Sequence, residues 1–312
     1  MDIASLVLIV IGLALFETIN SIDNAVINAE VLGTMSPKGR KWFLIWGLLT
    51  AVFLVRGLLP LIIIWGANPS LGFIGSLTAT FSSNPMVKEA MEASAPILLS
   101  GAGIFLLFLF FHWLFLETKS YGLHRTERFF ERQGVWFFAI VSIILAVTVW
   151  YSLKHSPMMA FGAVLGSTAF FITHGFKQNA EKMEEQLLHK GSGLNDMSKI
   201  MFLEVIDATF SIDGVLGAFA FTLSVPLIIL GNGLGALVVR QLTISNIERV
   251  KRYKFLKNGA MYSVFVLGMI MLLDSFGMHI PAWLSPVATF FVIGYFFWRS
   301  KKALNAAISA KS

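Results

Sequence analysis

Two short segments of the chain each carry two acidic residues at the same spacing. The first reads ETINSID from residue 17 to residue 23, and the second reads DATFSID from residue 207 to residue 213. Glu17 therefore aligns with Asp207 and Asp23 aligns with Asp213, without a gap, which indicates an internal repeat. Carboxylates grouped with amide and hydroxyl oxygens form a hard ligand set, and such a set suits Mn²⁺, Ca²⁺ or Mg²⁺.

The composition places these acids in a membrane protein. Hydrophobic residues make up 56% of the 312 residues and charged residues only 13%, whereas about 25% of a soluble domain is charged. The absence of cysteine excludes disulfides and thiolate metal sites. The net charge of +6 does not indicate a nucleic-acid partner, because the basic residues lie in short loops between apolar runs.

Nine apolar runs approach the length of about 20 residues that a membrane-spanning helix needs. They lie at roughly 3–33, 42–65, 96–116, 135–153, 157–176, 200–223, 225–240, 258–276 and 284–299. The sequence thus predicts an all-α, polytopic membrane protein with about nine transmembrane helices. The intervening segment 66–95 is rich in Gly, Ser, Asn and Pro, and we expect it to be an external loop rather than a lid.

The basic residues predict the orientation of these spans. All of the 24 lysines and arginines except Arg56, Lys88 and Lys154 fall on one side of the predicted topology. Lysine and arginine in short loops stay in the cytoplasm, so we expect the N-terminus outside and the C-terminus in the cytoplasm. The N-terminus lacks the features of a cleaved signal peptide, and we expect the first span to be retained.

The two acidic segments lie on spans that run in opposite directions, because five spans separate them. This predicts an inverted repeat, with repeat one at 1–116, connecting spans at 117–199 and repeat two at 200–299. Transporters built this way bind substrate near the bilayer midplane, often on broken helices. An unbroken helix would turn through about 240° between the two acids of each pair, so we expect both helices to be unwound there.

Five acids at membrane depth need compensation, because a buried charge costs several kcal/mol. Three remedies are open, alone or together: some acids hold protons, Arg56 pairs with one of them, or a cation binds among them. The acids are Glu17, Asp23, Glu204, Asp207 and Asp213.

The residues that carry the repeat resemble a known family. Glu17 to Asn24 is similar to the Glu-x-x-Leu-Ser-x-Asp-Asn signature of the TerC (tellurium-resistance) family of integral membrane proteins, and 204–213 resembles that family's second acidic motif. The resemblance is closest to the DUF475 branch. Two departures are Asn20, where an apolar residue is usual, and Gly214, where serine is common.

The resemblance implies a fold of the lysine-exporter-like superfamily and an association with manganese efflux, tellurite resistance or stress response. It implies a bacterial inner-membrane protein whose partners are the lipid bilayer, a divalent cation and protons, with no cofactor. Carried over by position, the implied metal ligands are Glu17, Asp23, Asn24, Glu204, Asp207 and Asp213.

Several functions remain open from the sequence. The leading hypothesis is a secondary transporter that exports a divalent cation, manganese before calcium, in exchange for protons. The alternatives are a membrane scaffold or stress protein with a structural metal site, and a static polar network between helices. An intramembrane aspartyl enzyme is disfavoured, since the Gly-x-Gly-Asp pairing of such proteases is absent, so we expect no enzyme. His112 and His174 are interpreted as structural.

Overall fold

The structure, a computed structural model, describes residues 3–47, 50, 56–67, 69–78, 85–189, 195–245 and 250–309. Within these ranges all regular structure is helical and no strand is present, which confirms the predicted all-α class. The α-helices are α1 Ile3–Asn20, α2 Ile22–Gly33, α3 Pro37–Trp42, α4 Arg56–Ala67, α5 Gly72–Thr78, α6 Pro85–Leu116, α7 His124–Arg132, α8 Phe137–Ser152, α9 Pro157–His189, α10 Asp196–Ala218, α11 Val225–Ser245, α12 Leu256–Ser275 and α13 Leu284–Ser309.

Six of the described helices are long and apolar enough to cross a membrane. They are α1, α11 and α12 together with Glu92–Leu116, Gly134–Ser152 and Pro157–Asn179. A seventh is possible if α4 and the bent segment Pro69–Leu77 form one span. Two further predicted spans are not among these six helices. They are α10, which carries the second acidic segment, and α13, which becomes basic from Arg299 onward. The predicted span 42–65 lies partly outside the described residues, so the total of nine stays a prediction.

The first acidic segment contains the predicted helix break. α1 ends at Asn20 and α2 begins at Ile22, with Ser21 between them at φ −92° and ψ 8°. The break is slight, because the Ser21 amide still donates to the Glu17 carbonyl at 3.0 Å and the Ala25 amide to the Ser21 carbonyl at 2.9 Å. The first acid, Glu17, therefore lies in the last turn of α1, and the second, Asp23, lies in the first turn of α2.

The predicted break in the second acidic segment is wrong. α10 runs without interruption from Asp196 to Ala218, through both aspartates. The Ser211 hydroxyl donates to the Asp207 carbonyl at 2.6 Å, one helical turn earlier, so this polar side chain bonds within the helix and does not open it. As a result the two aspartates of α10 point in divergent directions.

The expectation of a loop at 66–95 is also wrong over most of its length. After α4 the chain forms a short 3₁₀ turn at Pro69–Leu71 and the helix α5, and α6 begins at Pro85. Gly72, with φ +66°, has the left-handed backbone that allows the turn into α5. Proline favours the first turn of a helix, so Pro69 and Pro85, which suggested a loop, instead begin helical segments.

The core of the described structure is centred on α6, which packs against α9 and α12. Phe105, Phe108 and Trp113 of α6 are fully buried. Glycines allow close contact between α6 and α9: an added Cβ at Gly166 would lie 1.9 Å from the Gly101 carbonyl oxygen. Small residues at such crossings let helix backbones meet in a membrane.

We expect Gly166→Ala to destabilise the protein by about 1–3 kcal/mol, because the added methyl overlaps backbone that cannot move aside. The matched control is Gly175→Ala on the same helix, where an added Cβ meets nothing within 4 Å. Thermal unfolding in detergent should show a lower melting temperature for the first variant only. Equal melting temperatures for both variants would contradict this packing.

Candidate functional site

Arg56 lies between the first acids of the two repeated segments. Its Nη2 and Nε atoms lie 2.7 Å and 2.8 Å from Glu17 Oε1, and its Nη1 atom lies 3.2 Å from Asp207 Oδ2. Arg56 and Glu17 are almost fully buried, and Asp207 is largely buried. A guanidinium shared by two carboxylates supplies the pairing that buried charges require. We call Glu17, Asn24, Arg56 and Asp207 the Arg56 cluster.

Polar side chains at the α1–α2 break complete the Arg56 cluster. The Ser21 hydroxyl donates to Glu17 Oε1 at 2.8 Å. The amide of Asn24, in the first turn of α2, donates to Asp207 Oδ1 and so joins α2 to α10. Glu17, Ser21 and Asn24 are spaced four and three residues apart, so they share one helix face across the slight break.

Glu204 lies one turn before Asp207 and lines a small neighbouring cavity. The cavity has a volume of about 50 Å³, and Arg56, Asp207 and Arg240 also line it. Glu204 Oε1 is buried and has no hydrogen-bond partner among the described residues. A Cβ at Gly47 would lie 2.4 Å from this oxygen, so another residue at position 47 would force the Glu204 carboxylate to shift.

The second acids of the two segments line a different, larger space. We call it the polar cavity; its volume is about 610 Å³. Asp23 and Asp213 contribute to its wall, and neither belongs to the Arg56 cluster. The other charged and imidazole side chains that line it are His112, Glu117, His174, Lys177 and Lys257.

Two lysines form ion pairs with the three acids of the polar cavity. Lys177 of α9 forms an ion pair with the buried carboxylate of Asp213. Lys257 of α12 bridges two acids, with its Nζ atom 2.8 Å from Asp23 Oδ2 and 2.9 Å from Glu117 Oε2. Each second acid of the repeat thus faces an ammonium group from a helix outside the acidic segments.

Two histidines meet in the same cavity. The rings of His112 and His174 have their centres 4.0 Å apart, and His112 Nδ1 lies 3.4 Å from Glu117 Oε1. Burial alone would favour the neutral Glu117, but the contact with His112 and the charge of Lys257 outweigh it and hold the pKa of that carboxyl well below its ordinary value. Glu117 is therefore an anion at neutral pH.

The lysines and histidines of the polar cavity were missed in the sequence reasoning. Lys177 and Lys257 were counted only as topology signals, and the histidines were interpreted as structural. The spacing of His174 and Lys177 offered a signal, because residues three apart share one face of a helix. No pattern in the sequence links that face of α9 to Asp213.

Glu17 lies close to α10 at a glycine. An added Cβ at Gly214 would lie 2.4 Å from Glu17 Oε2, and this oxygen is buried with no hydrogen-bond partner among the described residues. Asp213, the preceding residue, also has one buried carboxylate oxygen, Oδ1, without such a partner. Because Gly214 has no side chain, Glu17 of the first segment can approach the backbone of α10 next to Asp213.

The structure brings the predicted site residues together in two groups. Glu17, Asn24 and Asp207 meet at Arg56 with Glu204 beside them, and Asp23 and Asp213 line the polar cavity. In the part of the chain that the structure describes, no three His, Asp or Glu side chains are arranged to hold a metal ion together.

A comparison with protein-family models gives a match to DUF475, described as a protein of unknown function, over residues 22–306. The chain belongs to the DUF475 family. The match covers the second acidic segment and begins after Glu17. No curated protein and no solved structure matches the chain. Membership of DUF475, together with the apolar helices, supports an integral membrane protein.

Proposed function

We propose that this DUF475 protein is a secondary transporter that exports a divalent cation in exchange for protons. The main support is the pairwise meeting of the repeated acids: the first acid of each segment reaches Arg56, and the second acid of each lines the polar cavity. A duplicated motif that contributes matching groups to shared sites is typical of inverted-repeat transporters.

The charge balance of the polar cavity supports a cation as substrate. Asp23, Asp213 and Glu117 are paired with two ammonium groups. A carboxylate away from water needs a positive partner at every stage of a transport cycle. In this proposal Lys177 holds Asp213 when the substrate is absent, and the substrate cation replaces that ammonium group when it binds.

The identity of the cation follows from the ligand type and the family resemblance. Carboxylate and amide oxygens suit manganese, calcium and magnesium. The preference for manganese, the outward direction and the relation to TerC proteins rest on the resemblance of the acidic motifs. The carboxylates that release the cation are the groups that would take up protons in exchange.

Intracellular metal content tests the proposal. Cells that express the wild-type protein should contain less manganese under a manganese load than cells with an empty vector, as measured by elemental mass spectrometry. Asp213→Asn, which removes a carboxylate of the polar cavity where the substrate is proposed to bind, should remove most of the difference at equal membrane abundance. Glu30→Gln is the matched control, because the exposed pair of Glu30 with Lys251 contributes little. Unchanged content of manganese, calcium and magnesium in all strains would contradict export.

A second candidate function is supported by the same ion pairs. Each repeated acid has a basic partner among the described residues, as a static network in a membrane scaffold or stress protein would require. The two functions differ in what the removal of one basic partner does: in the transporter it leaves an acid free for the substrate cation, whereas in a static network it only weakens a contact between helices.

A further inference from the structure

The short helix α7 separates its charges by sign. Glu127 faces inward and is fully buried, where the Asn258 side-chain amide donates to both of its carboxylate oxygens at 3.1 Å. Glu131, one turn later, is half-buried. Arg125, Arg128 and Arg132 are all exposed.

The inward face of α7 is firmly attached to the rest of the protein. Phe130 packs edge-on against Phe115 of α6, with ring centres 5.2 Å apart. The bond from Asn258 to Glu127 ties the helix to α12. These contacts hold α7 in place, so the backbone positions of its three exposed arginines are set by the fold.

The outward face forms a shallow basic groove. The three arginines follow a spacing of three and four residues, which places them along one side of the helix. Together with His124 and Phe129 they line a groove of about 390 Å³. None of the three forms a salt bridge with a described residue. Arginine binds phosphate oxygens in a bidentate manner, so the groove suits a phosphate group.

The neighbouring residues place this groove at a membrane surface. Phe129 within the groove is 60% exposed, and Val135, Trp136 and Phe138, which follow α7, are also largely exposed. They lead directly into the candidate span Gly134–Ser152. Tryptophan is enriched at the boundary between lipid and water. With Gly134–Ser152 as a membrane span, the arginines lie at the level of lipid headgroups, which carry phosphate.

We propose that α7 is a binding site for an anionic phospholipid, with Arg125, Arg128 and Arg132 on the headgroup phosphate and Phe129 against the glycerol and upper acyl chain. The site is separate from the Arg56 cluster and the polar cavity, and it does not depend on the proposed transport function. A lipid held here would couple α6 and α12 to the membrane surface through α7.

Lipid binding to the full-length protein in neutral detergent tests the proposal by native mass spectrometry. Wild type should bind phosphatidylglycerol more tightly than phosphatidylcholine. The triple variant Arg125→Gln, Arg128→Gln, Arg132→Gln should lose about a hundredfold in affinity, since each basic residue near a lipid surface contributes about fivefold. The control variant Arg299→Gln, Lys301→Gln, Lys302→Gln removes the same charge from α13, outside the groove, and should lose no more than about fivefold in affinity.

Two further measurements make the result specific. Phe129→Ala should weaken binding of phosphatidylglycerol but not of its water-soluble headgroup, glycerophosphoglycerol. Equal melting temperatures in lipid-free detergent verify that the arginine variant is folded. The proposal is overturned if both triple variants lose affinity equally, if neither does, or if the soluble headgroup binds as tightly as the lipid.

Discussion

Asp213→Asn and Lys177→Gln are expected to have opposite effects on manganese binding, although the two side chains form one ion pair. If the protein exports manganese through the polar cavity as proposed, loss of the Asp213 charge should raise the half-saturating manganese concentration by more than about tenfold, because a proposed ligand is removed. Loss of the Lys177 ammonium should lower that concentration by about tenfold, or about 1.4 kcal/mol, because the substrate no longer displaces an internal cation.

Thermal unfolding of purified protein gives a second measurement of the same prediction. Without metal, Lys177→Gln should melt below wild type, since it leaves the buried Asp213 carboxylate without its ammonium partner. Added manganese should then raise the melting temperature of this variant more than that of wild type. Lys251→Gln is the matched control, because Lys251 pairs with Glu30 at an exposed position.

A static polar network predicts a different result for these variants. If the ion pair only holds α9 against α10, then both substitutions lower the melting temperature, both reduce any activity, and manganese restores neither. That outcome would favour the scaffold over the transporter.

Arg56→Met is expected to destabilise the protein by about 3–5 kcal/mol, because it leaves the buried carboxylates of Glu17 and Asp207 without a counter-ion. The triple variant Glu17→Gln, Arg56→Met, Asp207→Asn should recover most of this loss, since it removes the charges as well as their partner. The melting temperatures of wild type, single and triple variants measure both effects.

Two controls make the Arg56 prediction specific. Arg252→Met removes an exposed arginine and should leave the melting temperature unchanged. Arg56→Lys should not restore full stability, because an ammonium group cannot reproduce the contacts of Nη1, Nη2 and Nε with two carboxylates. If Arg56→Met melts like wild type, then Glu17 and Asp207 are not both ionised in the cluster.

Sequence reasoning was most accurate where local patterns carry the physics. Long apolar runs predicted the helices, because lipid leaves few other ways to satisfy backbone hydrogen bonds. The turn of about 240° between the paired acids led to the expected break, which is found between α1 and α2, and Arg56 was correctly considered as a partner for an acid. The same reasoning was wrong for α10, where Ser211 bonds back to the Asp207 carbonyl and leaves the helix intact.

The sequence by itself determined that acids recur in matched pairs at membrane depth and that each needs a positive partner. Only the tertiary structure decided how they divide, with Glu17 and Asp207 at Arg56 and with Asp23 and Asp213 in the polar cavity. The division follows from the unbroken α10, which turns through about 240° between its aspartates and points them at different neighbours. Those neighbours, α4 and α9, are brought to α10 by helix packing, and no local sequence pattern encodes that packing.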